Sequence, residues 1–176
     1  MSLLSQTEIT QALIRLGELA QGQGYTIELL AVGGAVMVLK YQTRQSTHDV
    51  DAVIIAPAQA SIVRKLAEQV AEEYEWPLDW LNDGAKGYLV GFSEQELLFT
   101  APGIIVKSPS VPQLLAMKLS AWRDDVDIAD AQHLLKQLSN DQQRVWQTVV
   151  PFLLHGAELK AEYAFLDLWE TMYGDD

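Results

Sequence analysis

The chain of 176 residues contains no cysteine. Disulfide bonds, thiolate metal ligands and thiol catalysis are therefore excluded, and a reducing compartment such as the cytoplasm is the expected location. The first residues carry no basic cluster and no long apolar run, so the sequence predicts no signal peptide. The longest apolar stretch, Leu29 to Leu39, is interrupted by Gly33 and Gly34 and is too short to span a bilayer. We expect a soluble protein that does not enter a membrane.

Positive charge is also scarce, since 12 Lys and Arg residues stand against 24 Asp and Glu, a formal net charge of −12. An acidic surface repels phosphate backbones, which disfavours non-specific binding to nucleic acid. An RNA acceptor stays open, because a local basic patch or a protein partner would supply the attraction. The length fits a single domain over residues 1–176 that buries a sizeable core without disulfides.

Apolar periodicity and turn signals predict an α/β order of elements over the first part of the chain. Ser5 and Glu8 have the spacing of a capping box, which opens a helix that ends near Gly22. An amphipathic helix is predicted over Ala58 to Tyr74, with an apolar face of Ile62, Leu66, Val70 and Tyr74. Strands are predicted over Thr26 to Val32 and Val50 to Ile55, with a helix over Ala35 to Tyr41 between them. Leu78 to Ala85 is predicted to be irregular or a short helix. Three short strands are predicted to follow, over Tyr88 to Phe92, Leu97 to Thr100 and Ile104 to Val106.

A helical part follows from about residue 110. Ser110 to Gln113 is a capping box with an early proline, and the helix that it opens runs to about Trp122. A further helix is predicted over Asp125 to Leu138, with Asp125 as a candidate N-cap. A capping box at Ser139 to Gln142 opens the next helical part. That part continues to Tyr173, with breaks near Pro151 and Gly156. The sequence thus predicts an α/β core over about 25–110 and a helical C-terminal segment over about 110–176.

The segment AVGGAVMVLKYQTRQSTHDVDAVI, residues 31–54, combines two features that indicate a chemical site. Gly33 and Gly34 allow a tight turn and a close backbone approach to a ligand. The helix that follows would direct free N–H groups toward that ligand, which suits a phosphate. Asp49 and Asp51 are two apart on the predicted second strand, so both carboxylates would point the same way. Each feature alone is more often a turn or a solvated strand end, but the combination predicts a site.

Two carboxylates at this spacing suit one or two Mg²⁺ ions. Such ions would activate an attacking hydroxyl and hold a leaving pyrophosphate, and Mg²⁺ binds a few carboxylates together with substrate phosphates. Two acids on an otherwise apolar strand are costly to bury unless they are solvated or bound to cations.

The segment resembles the polymerase-β-type nucleotidyltransferase superfamily. Its pattern is a hydrophobic residue before Gly-Gly or Gly-Ser, then Asp-hydrophobic-Asp-hydrophobic after a short connection. The narrower resemblance is to small prokaryotic members similar to the AbiE-type (AbiEii-like) toxin nucleotidyltransferases, which carry Arg and then Ser or Thr before the Asp pair. Here Arg44 and Thr47 precede the pair. The resemblance implies a nucleotidyltransferase-type mixed sheet flanked by helices.

The same resemblance implies a Mg²⁺-dependent enzyme that moves a nucleotide from an NTP to an RNA, a protein or a small molecule. A toxin of a toxin–antitoxin pair is one implied role, with an antitoxin or another protein as partner. Asp49 and Asp51 would be the catalytic metal ligands. The implied nucleotide contacts are Gly33, Gly34, Arg44, Thr47 and Lys118.

Two further segments contribute to the resemblance. Leu78 to Gly87 resembles the Asp-Trp-Leu-Asn-Asp segment of a nucleotidyltransferase-like family and implies a border of the site. The residues concerned are Trp80, Asn82, Asp83 and Lys86. Leu114 to Leu119, with the acidic residues after it, resembles the helical motif that follows the core in AbiE-like proteins.

These residues also have structural interpretations. Trp80 suits a core position. Lys118 lies among apolar residues, where a structural lysine would extend its ammonium to solvent along its stem. The functional interpretation instead pairs Lys118 with Asp127 or Asp130. Arg123 and Asp127 have the i,i+4 spacing of a helical ion pair.

Superfamily catalysts usually add a third carboxylate from a neighbouring strand, and the strands predicted after residue 86 contain no interior Asp or Glu. Two alternatives to an active transferase therefore stay open. One is a catalytically inactive module of the same fold that binds a nucleotide or a partner. The other is a two-metal phosphoester hydrolase that needs no NTP. The acidic end, Glu170 to Asp176, is interpreted as solvated, with a contact to a basic partner as the alternative.

Overall fold

The computed structural model describes residues 3–174, so the last two residues of the acidic end lie outside the described part. The chain divides into two compact units. One, here called the sheet unit, comprises residues 1–86 and 95–108. The other, here called the helical unit, comprises residues 87–94 and 109–176. The protein is a mixed α/β structure, as the order of elements predicts.

The sheet unit contains the strands and the first three helices. The strands are β1 (Leu4–Ser5), β2 (Ile27–Val32), β3 (Ser46–Thr47), β4 (Val50–Ala56), β5 (Leu81–Asn82), β6 (Glu96–Ala101) and β7 (Ile104–Ser108). The helices are α1 (Gln6–Gly22), α2 (Gly33–Val36), which continues as a π-helical turn over Met37–Tyr41, and α3 (Ala60–Tyr74). A short 3-10 helix follows β5 at Gly84–Tyr88.

Five of these strands form one mixed sheet in the order β5-β4-β2-β7-β6. β2 is antiparallel to β4 and parallel to β7, while β4 is parallel to β5. β6 is antiparallel to β7, and β1 forms a separate antiparallel pair with β3. β2 is central and its residues are almost all buried, which explains why its sequence is apolar apart from Glu28, which is half-buried and pairs with Lys107.

Local capping explains where α1 begins. The Ser5 hydroxyl accepts a hydrogen bond from the Glu8 N–H, and the Glu8 carboxylate accepts one from the Ser5 N–H at 2.8 Å. This capping box satisfies two backbone donors that the helix itself leaves open. Ile9, Leu13 and Leu16 are fully buried along one face of the helix. The prediction for this helix is confirmed.

Two predictions in the sheet unit are wrong in detail. The buried face of α3 contains Val63 in place of Ile62, and Tyr74 is 38% exposed. Tyr74 lies at the end of the helix, where its ring contacts Trp76 with centroids 5.2 Å apart. The stretch predicted as irregular or helical over Leu78 to Ala85 contains β5, because Val50 and Leu81 pair across the sheet.

The helical unit contains α4 (Val111–Ala121), α5 (Asp125–Lys136), α6 (Gln142–Val149), a 3-10 turn at Val150–Phe152 and α7 (Glu158–Tyr173). The Ser110 hydroxyl accepts from the Gln113 N–H and opens α4 where predicted, but the capping box is incomplete, because the Ser110 N–H donates to the Ser93 hydroxyl at 2.9 Å. The N-cap of α5 is Asp124 and not Asp125, because Asp124 is extended and its carboxylate accepts from the N–H groups of Val126 and Asp127. Within residues 3–174, no helix is long and apolar enough to cross a membrane.

Two further corrections concern loops of the helical unit. Tyr88 to Phe92 is not a strand, because the side-chain amide of Gln113 donates to the carbonyls of Val90 and Gly91 at 3.1 and 3.0 Å. Those carbonyls are therefore satisfied without a neighbouring strand. α6 is capped by Asp141, whose carboxylate accepts from the Arg144 N–H, and not by the first serine of the predicted capping box.

Candidate functional site

The Gly-Gly turn and the second aspartate are neighbours. Gly33 has φ +64°, a conformation that side-chain-bearing residues rarely adopt, so the turn after β2 requires glycine there. A Cβ built on Gly33 would lie 3.4 Å from Asp51 Oδ2. The register explains this proximity, because Val32 and Asp51 are paired across β2 and β4. The antiparallel pairing thus brings together two motifs that are separated along the chain.

The space beside Gly34 is filled by two side chains from the connection before β4. A Cβ built on Gly34 would lie 2.6 Å from Thr47 Oγ1 and 3.0 Å from Arg44 Nη1. Thr47 is only 6% exposed and is held in place by the pairing of β3 with β1. Glycine at 34 is therefore required for packing, and protein side chains occupy the room that the sequence predicted for a ligand. Both side chains, predicted as nucleotide contacts, do lie at the turn.

The two aspartates do not share a strand. Asp51 is the second residue of β4, whereas Asp49 precedes the strand by one residue, and both are half-buried. The prediction that both stand on the strand is wrong, because the chain bends at His48 and pairing begins only at Val50. The Val50 N–H donates to the carbonyl of Trp80 at 2.6 Å, which joins β4 to the segment that carries Asn82.

Asn82 is brought to the aspartates by β5. Parallel pairing places Asn82 opposite Asp51, and its Nδ2 donates to Asp49 Oδ2 at 2.9 Å. The same nitrogen donates to the carbonyl of Asp79 at 3.1 Å, and Oδ1 accepts from the Gly84 N–H at 2.8 Å. Both ends of the amide are engaged, so it orients the carboxylate of Asp49. A neighbouring strand thus supplies an amide to the pair. Among residues 3–174, no group of three or more His, Asp or Glu side chains is placed to hold a metal ion.

The other predicted border residues are placed differently. Trp80 is 1% exposed and its indole N–H donates to the carbonyl of Ala67 at 2.9 Å, so its structural interpretation is confirmed. Asp83 lies 3.5 Å from Arg64 in a partly exposed ion pair, and Lys86 is exposed in the 3-10 helix. The sequence does not predict Gly84 as a site residue, although a Cβ built on Gly84 would lie 3.6 Å from Asp51 Oδ1. The Asp-Gly pair before the 3-10 helix was the signal available for it.

Lys118 lies in the helical unit, whereas the other predicted nucleotide contacts lie in the sheet unit. It is 9% exposed, and its ammonium lies 2.9 Å from Asp127 Oδ1 and 2.8 Å from Asp130 Oδ2. The interpretation as a lysine that reaches solvent is therefore wrong, and the pairing with both aspartates is confirmed. The predicted pair of Arg123 with Asp127 is present as well, at 3.0 Å.

The charges in this cluster shift one pKa strongly. Burial by itself raises the pKa of Asp127, but hydrogen bonds from Arg123 and Lys118 outweigh it and lower the pKa from 3.8 to about 2. The hydrogen bond to Asp127 in turn raises the pKa of Arg123. Asp127 is therefore ionised at neutral pH, and it is a binding point for both cations.

The sheet unit thus gathers most of the predicted site residues around one turn. They are Gly33, Gly34, Arg44, Thr47, Asp49, Asp51 and Asn82. No family model, no curated protein and no solved structure matches this chain.

Proposed function

We propose that the protein is a Mg²⁺-dependent nucleotidyltransferase that moves a nucleotide from an NTP to an acceptor. The observation that supports this is the proximity of the Gly-Gly turn to a carboxylate on one side and a guanidinium on the other. The Cβ position of Gly33 lies 3.4 Å from Asp51 Oδ2, and that of Gly34 lies 3.0 Å from Arg44 Nη1. Carboxylates for a divalent cation and a guanidinium for phosphate oxygens are the groups that a metal-bound triphosphate needs.

The donor set fits Mg²⁺. Asp49 and Asp51 would hold the ion, since Mg²⁺ is commonly bound by one or two carboxylates plus substrate phosphates. The ion would supply neutralisation of the charge that develops on the phosphoryl group. Asn82 keeps the Asp49 carboxylate in one orientation through its 2.9 Å hydrogen bond.

The residues of the turn would bind and orient the substrate. The guanidinium of Arg44 would donate hydrogen bonds to phosphate oxygens, and the buried Thr47 packs against the turn beside Gly34. In the transfer, an acceptor oxygen forms a bond to the α-phosphorus as the bond from that phosphorus to the bridging oxygen breaks. Pyrophosphate leaves with the electron pair, and the hydroxyl proton passes to a carboxylate of the pair or to water. The acceptor is an RNA, a protein or a small molecule.

A second candidate function is nucleotide binding without transfer. Asn82 favours it, because an amide beside Asp49 and Asp51 adds no negative charge for a second cation. Binding of one metal-bound nucleotide would remain, since two carboxylates suffice for that.

Calorimetric titration with each NTP, with and without Mg²⁺, tests the shared part of both proposals. We expect Mg²⁺-dependent binding that Asp51→Asn abolishes, because the substitution keeps the shape and removes the charge. Asp79→Asn is the matched control, since Asp79 is an exposed acid three residues before Asn82. If the folded protein binds no NTP at millimolar concentration, both proposals are wrong.

Transfer of an α-phosphate label separates the two functions. Label that appears on the protein, on added RNA or on a small-molecule acceptor, with release of pyrophosphate, identifies a transferase. Binding without label on any acceptor identifies the binding module. Phosphoester cleavage that needs no NTP would instead identify a hydrolase.

A further inference from the structure

The outer face of α7 carries an apolar stripe that the proposed function does not use. It consists of Leu159, Tyr163, Leu166 and Tyr173, here called the α7 stripe, and these residues are 65%, 66%, 45% and 39% exposed. Three of them are seven residues apart and the fourth lies four residues after the first, so all four share one face of the helix. The opposite face of α7 is buried. Single exposed apolar residues are ordinary, but a repeat along two heptads indicates a binding surface.

A groove lies beside the α7 stripe. It has a volume of about 150 Å³ and is lined by Gln142, Gln143, Trp146, Glu162, Phe165 and Leu166. The rings of Trp146 and Phe165 stack in its wall, with centroids 4.9 Å apart. Leu166 belongs to both the stripe and the groove, so the two form one continuous surface. A groove with an aromatic wall is suited to hold a large apolar side chain of a partner.

The charges around the stripe are mostly negative. The exposed charged residues of α7 other than its lysine are Glu158, Glu162, Asp167 and Glu170. The lysine of this helix, Lys160, donates to the carbonyl of Ala121 at 2.7 Å and is engaged within the helical unit. An apolar stripe with acidic borders complements a basic partner. A second copy of this chain is a poor match, because it would bring acidic borders together in a protein of net charge −12.

We propose that the α7 stripe and its groove bind a basic amphipathic helix of a partner protein. The seven-residue spacing is the spacing of a helix–helix seam, in which apolar residues of each helix pack between those of the other. From Leu159 to Tyr173 the stripe extends roughly 21 Å, at about 1.5 Å per residue, enough for a helix of several turns. One apolar side chain of the partner enters the groove, and its Lys and Arg residues pair with the acidic borders.

The test uses a fluorescent synthetic helix of about three heptads, with Leu at the a and d positions and Lys or Arg elsewhere. A second peptide has the same Leu positions and Glu in place of each cation. Leu166→Glu and Val126→Glu are matched variants of the full chain, because these side chains are 45% and 47% exposed on helices and each substitution adds one negative charge. Fluorescence anisotropy measures binding, and circular dichroism checks that both variants fold.

We expect the wild-type protein to bind the basic peptide and not the acidic one. Leu166→Glu should weaken binding by roughly tenfold or more, although it adds attractive charge, whereas Val126→Glu should not weaken it. Tyr163→Glu, at a position 66% exposed, replaces Leu166→Glu if that variant does not fold.

Three results would overturn the proposal. One is equal binding of the basic peptide by Leu166→Glu and Val126→Glu, which would show that charge alone, and not the apolar stripe, causes the binding. Another is no binding of the basic peptide by the wild-type protein. The third is a wild-type dimer in sedimentation that Leu166→Glu converts to monomer, because a second copy would then cover the stripe.

Discussion

The side-chain amide of Asn82 holds the carboxylate of Asp49 through a hydrogen bond of 2.9 Å from Nδ2 to Oδ2. Asn82 also stands opposite Asp51 in the parallel pairing of β4 and β5, so one uncharged group lies beside both acids. A carboxylate in its place would lose the donated hydrogen bond and repel both aspartates. We therefore expect the charge at position 82 to control how strongly the proposed site depends on a cation.

Asn82→Asp should destabilise the protein in the absence of divalent cations and make Mg²⁺ strongly stabilising. Loss of the hydrogen bond together with charge repulsion should cost about 1–3 kcal/mol, and each kcal/mol lowers the melting temperature by roughly 2–4 °C. Mg²⁺ should restore much of this, because a ligand that binds only the folded state stabilises it. Thermal unfolding with and without Mg²⁺ measures both effects. Asn82→Ala is the control, since it removes the hydrogen bond without adding charge. The prediction fails if Mg²⁺ raises the melting temperature equally in both variants.

Gly34→Ala should destabilise the protein through Thr47. The new Cβ would lie 2.6 Å from Thr47 Oγ1, so one of them must move, at a cost of about 1–3 kcal/mol. The cost should fall in a Thr47→Ala background, which removes that oxygen. Urea unfolding of the four proteins of this double-mutant cycle measures the coupling. Gly22→Ala, where a Cβ meets nothing within 4 Å, is the control and should be nearly neutral. Equal costs in both backgrounds would show that Thr47 is not the obstacle.

Lys118→Met should be strongly destabilising. It would leave Asp127 and Asp130, each 2% exposed, without the ammonium that lies within 3 Å of both. Removing one partner of a buried ion pair typically costs about 3–5 kcal/mol, and the pair of Arg123 with Asp127, which remains, should keep the loss toward the lower end of that range. Arg15→Met is the control, since it removes a partly exposed cation paired with Glu18 and Glu73 and should have little effect. Denaturant unfolding compares the two, and similar losses would contradict the burial argument.

Stability should fall between about pH 4 and pH 2 because of Asp127. Its pKa in the folded protein is about 2 against an ordinary 3.8, so folding favours the ionised form. The stabilisation is complete above the unfolded pKa and is lost as the pH falls through the folded pKa, a change of about 2 kcal/mol. Asp127→Asn should therefore show a flatter decline across this window than the wild-type protein, measured by urea unfolding at a series of pH values. Parallel declines in the two proteins would contradict the assignment.

Helix starts are predictable from the sequence where the cap is local. The hydroxyls of Ser5 and Ser110 each accept a hydrogen bond from the N–H three residues later, so both helix starts are confirmed, although only Ser5 forms the predicted capping box. Asp124 and Asp125 are adjacent, so the sequence does not show which of them is the N-cap of α5. The N-cap is Asp124, because the backbone is extended at that residue. The wrong strand at Tyr88 to Phe92 has a similar origin, because the amide that satisfies its carbonyls belongs to Gln113, more than twenty residues later.

In the candidate site, too, some features are predictable from the local sequence and others depend on contacts between distant elements. The Gly-Gly turn and the two aspartates are recognisable as residue types, and Gly33 does have the positive φ that a tight turn requires. The turn and Asp51 are close because of the register in which β2 pairs with β4, and no local sequence pattern predicts that register. Asn82 reaches the pair through a strand of two residues, which is too short to show a period of alternation.

The sequence by itself determined the N-cap residues of α1 and α4, the need for glycine at the turn and the acidic, cysteine-free chemistry, because these depend on side chains and on neighbours within a turn or two. Only the tertiary structure decided that Asn82 orients Asp49, that Thr47 and Arg44 fill the space at Gly34, and that Lys118 is buried between two aspartates. Those contacts join residues from different elements, and the free energy of packing and pairing the elements selects them.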